Sequence, residues 1–339
     1  MKKPFGKLPD GQQAYLYEIK NGKLSAYISD FGATLVRLYV PDSQGHLADV
    51  VLGFDEAYEY QQKGGYIGAT VGRNANRVAG GSFFLNGQKV QMPCNEGENN
   101  LHSGPDSYAY RIWQVDSHTE NSIRFQLESP HGDQGLPGNA KIYVTYTLEN
   151  PASLRIRYDG ISDRDTVFNL TNHSYFNLAG HTHPEKAMDQ VLMLTARHYT
   201  PDDAASIPTG ETVDVAGTPM DFRKPKPIGR DINDDYRCLK LQGGYDHNFE
   251  AYADPCAILK DEESGRTMAV STDCPGIQFY AGNFLDNVPG KDGAVYCYRG
   301  GIALETQYYP NSLNYPQWKQ PIYKAGEHYR SETVYAFTW

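Results

Sequence analysis

The sequence lacks the features of a membrane-spanning or nucleic-acid-binding protein. No stretch approaches the roughly 18 consecutive apolar residues of a membrane helix. No apolar segment follows the basic residues 1–7, so we expect no secretory signal. Lys and Arg total 31 against 41 Asp and Glu, a net charge of −10, and they form no basic run. This balance disfavours nucleic acid and anionic membranes as partners.

Cysteine is also scarce. The five cysteines are an odd number, and the nearest two are 18 residues apart. This spacing fits buried free thiols in a reducing compartment, and it excludes a disulfide framework or a Cys-x-x-Cys metal site. We therefore expect a cytoplasmic protein.

Common cofactor and nucleophile motifs are missing. The sequence has no phosphate-binding loop, no dinucleotide fingerprint, no His-Glu-x-x-His helix and no Gly-x-Ser-x-Gly elbow. The pair His181 and His183 offers only two imidazoles, and the flanking Gly180 and Pro184 predict a surface loop. We therefore expect neither a cofactor nor a metal.

Alternating apolar and polar residues dominate the sequence. They predict strands at 122–128, 141–148, 153–158 and 332–338, while helical periodicity is confined to residues 55–62. Asn-Gly or Asp-Gly pairs at 10–11, 21–22, 86–87 and 159–160 predict hairpin turns. Without a linker or repeat, residues 1–339 should form a single domain. The expected fold is all-β, a large antiparallel sandwich with few short helices.

Six stretches mix hydrogen-bonding side chains with aromatic residues or glycine. Sugar sites need this mixture, because amides and charged forks bind hydroxyls while flat rings cover C–H faces. Each stretch alone has an ordinary structural explanation, such as an ion pair for Arg73 or Arg77, or a solvent-facing Glu305. Together they favour a carbohydrate enzyme. The stretches are 72–77, 99–105, 170–178, 243–249, 275–283 and 303–312.

In this order the stretches resemble the aldose 1-epimerase, or galactose mutarotase, family. The resemblance runs from about residue 30 to the end of the chain. It implies a galactose mutarotase-like β-supersandwich with an open sugar cleft. It also implies interconversion of the α and β anomers of free hexoses such as galactose and glucose, without a cofactor. The motifs are Gly72-Arg73, Asn76-Arg77, Asn99-x-Leu101-His102, Thr171 to Leu178, Gly244 to His247, Gln278-Phe279-Tyr280-x-Gly282-Asn283 and Leu304 to Gln307.

The resemblance also assigns roles to single residues. It makes His173 the general acid and Glu305 the general base. Ser103 stands where the family pattern has Gly, and Asn311 stands where it has Asp; these differences bear on substrate preference more than on chemistry. The residues placed around the sugar are Asn76, Arg77, His102, Tyr175, Asp246 and Gln278.

This chemistry sets expectations for the two catalytic groups. An ordinary Glu has a pKa of about 4.3 and an ordinary His about 6.5. Glu305 should therefore be ionised at neutral pH, and its charge should help to keep His173 protonated. A bell-shaped pH profile follows, with Glu305 on the acidic limb and His173 on the basic limb. If residues 172–175 form a strand, His173 and Tyr175 share one face.

Three alternatives remain open. A glycoside hydrolase could use Asp246 and Glu305 as its two carboxyl groups. A non-catalytic module could bind sugar without turnover. An epimerase of sugar phosphates could clamp the phosphate with Arg73 and Arg77. The expected partner is a small aldohexose, and we expect a monomer or a weak homodimer.

Overall fold

A computed structural model describes all 339 residues. Strands make up most of the regular structure, and they are numbered here along the chain. They are β1 Lys2–Lys7, β2 Gln13–Lys20, β3 Ser25–Ser29, β4 Thr34–Pro41, β5 Leu47–Asp49, β6 Thr70–Val71, β7 Arg77–Val78, β8 Ser82–Leu85, β9 Gln88–Gln91, β10 Asn100–Leu101, β11 Gln114–His118, β12 Ser122–Ser129, β13 Ala140–Glu149, β14 Ser153–Ser162, β15 Thr166–Val167, β16 Thr171–Asn172, β17 Tyr175–Phe176, β18 Val191–Leu194, β19 His198–Tyr199, β20 Val213–Asp214, β21 Lys226–Pro227, β22 Asp246–Glu250, β23 Ala257–Lys260, β24 Thr267–Thr272, β25 Gly276–Tyr280, β26 Val288–Pro289, β27 Val295–Tyr296, β28 Ile302–Gln307, β29 Ile322–Tyr323 and β30 Tyr329–Thr338.

Helices are few and short. The helix predicted at 55–62 is α1, where Glu56 and Glu59 form a capping box at its start. No helix has the length and apolar character needed to cross a membrane. The helices are α1 Ala57–Lys63 and α2 Arg237–Gln242, with 3₁₀ turns at Ala79–Gly81, Tyr108–Tyr110, Asp133–Gly135, Pro184–Asp189, Ile228–Arg230, Lys291–Gly293 and Ser312–Asn314.

Three sheets organise the molecule. A nine-stranded sheet has the order β11-β12-β13-β14-β30-β24-β23-β18-β21, and a six-stranded sheet has the order β17-β28-β25-β22-β19-β20. The strands at the centres of both sheets pair antiparallel. Strands β1 to β5 form a third sheet in sequence order.

The core lies between the two largest sheets. On β13, buried residues alternate with partly exposed ones, so Ile142, Val144 and Tyr146 point inward. These side chains belong to one apolar cluster with Phe279 and Leu304 of the six-stranded sheet. Two antiparallel sheets that share one core form a sandwich, which confirms the predicted fold class.

The six-stranded sheet is covered on both of its faces. All six positions of β28 are buried, and they alternate between two environments. Leu304 packs in the large core, whereas Ala303 packs in a second cluster with Tyr175 and Tyr280. Because Glu305 is two positions from Ala303, it lies on this second, covered face rather than facing solvent.

The predicted turns are partly right. Asn86-Gly87 forms the two-residue connection between β8 and β9, with φ values of 51° and 77°. Asp10-Gly11 and Asn21-Gly22 lie in the longer connections β1–β2 and β2–β3.

The turn predicted at Asp159-Gly160 is wrong. Both residues lie inside β14, opposite Tyr143 and Ile142 of β13. The Phe168 ring packs against Gly160, where a Cβ would lie 3.0 Å from a ring carbon. The glycine therefore serves close packing in a strand rather than a turn.

Candidate active site

A cavity of about 180 Å³ opens on the second face of the six-stranded sheet. Seven of the eight site residues expected from the sequence line it. Gln278 is the exception, and it reaches the site only through Asp246, to whose Oδ1 its Nε2 donates at 2.7 Å. The seven are Asn76, Arg77, His102, His173, Tyr175, Asp246 and Glu305.

His173 lies between two short strands rather than within one. Its N–H donates to the carbonyl of Ala69 at 2.9 Å, and its carbonyl accepts from Gly68 N–H at 2.8 Å. These bonds lie in the break between the end of β16 and the start of β17. The His173 ring still stacks on Tyr175, with centroids 5.0 Å apart and planes at 19°, so the two share a face as expected. Ser174 instead donates to Oδ1 of Asn172 at 2.6 Å.

His173 and Glu305 meet inside the cavity. Nε2 of His173 lies 3.6 Å from Oε1 of Glu305. The two residues are 6% and 2% exposed, so both groups are nearly out of contact with water. The adjacent strands explain the proximity, because Tyr175 of β17, two residues after His173, pairs with Ala303 of β28, two residues before Glu305. An acid and a base are therefore held next to each other in the cavity wall.

Burial changes the charge states expected for this pair. Desolvation lowers the pKa of His173 to about 4. Desolvation raises the pKa of Glu305 well above its usual range, and the nearby charge of Asp246 adds to this rise. At neutral pH His173 is therefore neutral, and burial favours the protonated form of Glu305. Both shifts run against the expectation of a charged His173 beside an ionised Glu305.

His102 is fixed in one tautomer. Its Nδ1 accepts a hydrogen bond from the backbone N–H of Asn76 at 3.1 Å, so Nε2 carries the ring proton. Burial, together with His173 and Arg77, lowers the pKa of His102 well below its usual range. His102 is therefore a neutral hydrogen-bond donor. Asn76 adopts a φ of 60°, and its Oδ1 accepts from the N–H of Arg77 at 2.8 Å.

His102, His173 and Glu305 place potential metal-ligand atoms within 4.8 Å of one another. Their wide separation in the sequence hid this cluster from motif analysis. The bond from Asn76 keeps the proton on Nε2 of His102, and a protonated nitrogen is not a metal ligand. The cluster thus offers two donors, His173 and Glu305, unless that bond is broken.

Arg77 is held by a residue that sequence reasoning missed. Its Nε and Nη2 donate to Oε2 and Oε1 of Glu96 at 2.7 and 2.9 Å. Glu96 also lines the cavity. No motif singles it out, because residues 95–99 read as an ordinary polar loop with a second glutamate at position 98.

Arg73 takes no part in the site. It is fully buried, and its guanidinium donates to Tyr108 Oη, the carbonyl of Pro137 and Thr166 Oγ1 at 2.9–3.2 Å. A phosphate clamp made from Arg73 and Arg77 therefore has no structural support.

Three further aromatic residues, Tyr66, Tyr280 and Phe284, border the cavity. The Tyr66 ring lies 6.2 Å from His173 with planes at 20°, and Phe284 stacks on Tyr280 at 6.3 Å. Phe284 is 77% exposed, which is unusual for a large apolar side chain. Its position directly after the motif that ends at Asn283 is the only sequence signal for it.

Ser103 and Asn311, the two departures from the family pattern, do not line the cavity. Ser103 Oγ accepts from the N–H of Asn74 at 2.8 Å, and Asn311 Oδ1 accepts from the N–H of Ala79 at 3.0 Å. Both residues therefore brace the backbone behind the site.

The surface loop predicted for His181 is wrong. His181 is 4% exposed and lies 3.2 Å from Tyr296 Oη through Nδ1 and 3.4 Å from Asp292 through Nε2. His183 is exposed, as expected.

Comparison with known proteins agrees with this geometry. A family model described as aldose 1-epimerase matches residues 15–336. Galactose mutarotase from Sus scrofa is 41% identical over 340 residues, which cover 98% of this chain and 97% of that protein. Aldose 1-epimerase from Haemophilus influenzae is 38% identical over 336 residues, which cover 97% of each chain.

Solved structures show the same fold. The crystal structure of galactose 1-epimerase from Lactobacillus acidophilus has a TM-score of 0.87 at 29% identity, covering 100% of this chain and 98% of that one. An aldose epimerase homologue from C. elegans has a TM-score of 0.88 at 32% identity, covering 96% and 99%. The chain belongs to the aldose 1-epimerase family.

Proposed function

We propose that the protein interconverts the α and β anomers of free hexoses such as galactose and glucose. The observation that carries this proposal is the contact of 3.6 Å between Nε2 of His173 and Oε1 of Glu305 inside the cavity. Ring opening needs an acid and a base that act on neighbouring oxygens of one sugar, and this pair supplies both.

The reaction follows from proton positions. Glu305 accepts the proton of the C1 hydroxyl while His173 donates a proton to the ring oxygen, and the C1–O5 bond breaks. Rotation about C1–C2 turns the other face of the aldehyde toward the O5 hydroxyl. His173 then takes the proton back from that hydroxyl, Glu305 returns its proton to O1, and the ring closes. No proton is gained or lost overall.

The charge state before binding must change for these roles. Burial favours a proton on Glu305, and the pair becomes reactive when this proton passes to His173. Sugar hydroxyls that enter the cavity supply hydrogen bonds to the imidazolium and the carboxylate, which favours the charged forms. Binding thus prepares the pair for catalysis.

The remaining residues orient the sugar. Nε2–H of His102 and the amide of Asn76 can donate to sugar oxygens, and the Asp246 carboxylate can accept from hydroxyls. Gln278 fixes one oxygen of Asp246 by its bond at 2.7 Å. The Tyr175 ring packs against His173 and limits its rotation. Proton transfer needs such alignment, because the reacting atoms must stay within hydrogen-bond reach.

Polarimetry of freshly dissolved α-galactose and α-glucose tests the proposal. The purified protein should accelerate the change in optical rotation for both sugars. It should release no phenol from aryl galactosides, which a hydrolase using Asp246 and Glu305 would do. Sugar binding without acceleration would instead indicate a non-catalytic binding module.

We further propose a monomer or weak homodimer that works in a reducing cytoplasm. All five cysteines are free, and three of them are buried, which suits that environment.

A further inference from the structure

The charges around the cavity are unequal. Arg77 is the only Lys or Arg that lines it, whereas Glu96, Asp246 and Glu305 are three carboxyl groups. One cation therefore faces three carboxyl groups. Such a cavity disfavours an additional negative charge on a bound ligand. The low-dielectric protein around the cavity focuses the field of the carboxyl groups there.

Glu96 limits how many of the N–H donors of Arg77 are free to bind a ligand. Both of its oxygens receive donors from the guanidinium, at 2.7 and 2.9 Å. These are the donors that bind a phosphate or carboxylate in a forked pair. Glu96 is the less buried partner, with a side chain that is 36% exposed against 11% for Arg77.

The loop that carries Glu96 is braced rather than free. The backbone of Glu96 forms two hydrogen bonds with Asn99, at 3.1 and 3.0 Å. Asn95 adds side-chain bonds to the backbone of Leu101 at 2.8 and 3.0 Å. Glu96 is therefore a fixed part of the cavity wall.

We propose that Glu96 makes the site selective for uncharged sugars, by occupying the Arg77 fork and by adding negative charge where an anionic sugar would bind. This inference rests on the proposed function, and it adds a substrate class that the site rejects. The rejected class is an aldose that carries a phosphate or a carboxylate.

The chain offers a matched control. Glu98 lies two residues along the same loop, carries the same charge and is exposed. It does not line the cavity. Glu96→Gln and Glu98→Gln therefore change the net charge equally, and only the first releases one side of the Arg77 fork.

The experiment measures dissociation constants by titration calorimetry for galactose, galacturonate and galactose 6-phosphate. Wild type should bind galactose at least about 10-fold more tightly than galactose 6-phosphate, since the phosphate would bring like charge beside partly buried carboxyl groups. Glu96→Gln should reduce this ratio about 10-fold, and less for the singly charged galacturonate. The reduction should shrink in high KCl. Glu98→Gln should leave the ratio unchanged.

Either of two results would overturn the proposal. One is equal binding of galactose and galactose 6-phosphate by wild type. The other is an unchanged ratio in both Glu96→Gln and Glu96→Ala, with melting curves showing that they are folded. Polarimetry on the same samples keeps the two proposals apart. Galactose binding without acceleration would contradict the proposed function alone, whereas wild type that binds neither sugar would contradict both.

Discussion

At the scale of single residues, His173 and Glu305 titrate as one unit. Two buried groups 3.6 Å apart share their protons, so the apparent pKa values belong to the pair. Burial opposes charge on either group, which widens the pH range in which the pair holds a single proton. The reactive form needs one proton in total, so this range is the range of activity.

We expect kcat/KM of the free enzyme to fall at low pH with a midpoint near the pKa of about 4 given by His173. Below it a second proton binds and the base is lost. The basic limb should reflect loss of the last proton of the pair. Burial of Glu305 raises the pKa of this step well above the usual value for a glutamate. This reverses the assignment of the limbs expected from the sequence.

Polarimetry between pH 3.5 and 9 measures both limbs. The residual activity of His173→Asn should be reduced about 10²–10⁴-fold and should lack the acidic limb. His46→Asn, which removes an imidazole whose side chain is 75% exposed, serves as the control. An acidic limb near pH 6.5 in wild type would contradict the burial argument.

Glu305→Gln should keep the shape of the site and remove its proton acceptor. We expect kcat to fall about 10²–10⁴-fold, the usual contribution of general acid–base catalysis. Galactose binding, measured by calorimetry, should be largely retained, because the amide still offers an oxygen to the sugar. A rate like that of wild type would remove Glu305 from the mechanism.

Prolonged EDTA treatment should leave activity intact. The His102 tautomer leaves only two metal donors in the cluster at the site, which is too few for a structural zinc ion. Polarimetry before and after dialysis checks this. Loss of activity that a single divalent ion restores would show that His102 gives up its bond to Asn76.

Sequence motifs identified residues that line the cavity, but they did not indicate residues whose place in the site depends on contacts in the folded protein. His173, Glu305 and Asp246 were identifiable because they stand in ordered motifs. Glu96 was not, since a sequence cannot distinguish it from Glu98 in the same loop. The raised pKa of Glu305 was also unpredictable, because it follows from burial that only the packed structure shows.

At the scale of secondary-structure elements, alternation was a reliable guide where one strand face is buried. The predicted strand at 141–148 lies within β13, and 332–338 lies within β30. The Asp159-Gly160 pair failed because the same two residue types serve turns and close packing. The Phe168 ring decides between these roles. It lies outside the local sequence pattern around Gly160 but packs against this glycine in the folded protein.

For Gly160 in β14, the sign of the change in stability on substitution distinguishes close packing from an ordinary strand position. Replacing a strand glycine with alanine normally stabilises a protein by about 0.5–1 kcal/mol. Gly160→Ala should instead destabilise by about 1–3 kcal/mol, because the new methyl group overpacks against Phe168. Chemical denaturation measures the change.

Lys141→Ala on the neighbouring strand is the control for Gly160→Ala. Its side chain is 54% exposed and pairs only with the exposed Glu128. We expect an effect below about 1 kcal/mol. A Gly160→Ala variant more stable than wild type would show that the Phe168 ring moves aside freely.

At the scale of the whole molecule, one core ties distant segments together. Its 55 buried residues extend along the chain from Tyr17 to Phe337. We propose that residues 1–339 form a single folding unit, since removal of either large sheet would expose the apolar face of the other.

The single unit predicts one thermal transition. Trp113 lies in the core at 1% exposure, and the other two tryptophans, Trp318 and Trp339, are partly exposed. In a variant with Trp318→Phe and Trp339→Phe, Trp113 fluorescence should therefore report the same melting temperature as the far-ultraviolet circular dichroism of the sheets. Two separated transitions would indicate independent units.

The position of β30 has a consequence for how the protein is made. Strand β30 lies between β14 and β24 in the middle of the nine-stranded sheet, with Ser153 opposite Ala336. During synthesis the hairpins of β12, β13 and β14 can form as they leave the ribosome, but the outer edge of β14 stays unpaired until residues 329–338 emerge. An open edge of this kind is a template for pairing with other chains. Both His173 and Glu305 are synthesised within this interval. All residues of the proposed acid–base pair therefore leave the ribosome before the nine-stranded sheet can be completed.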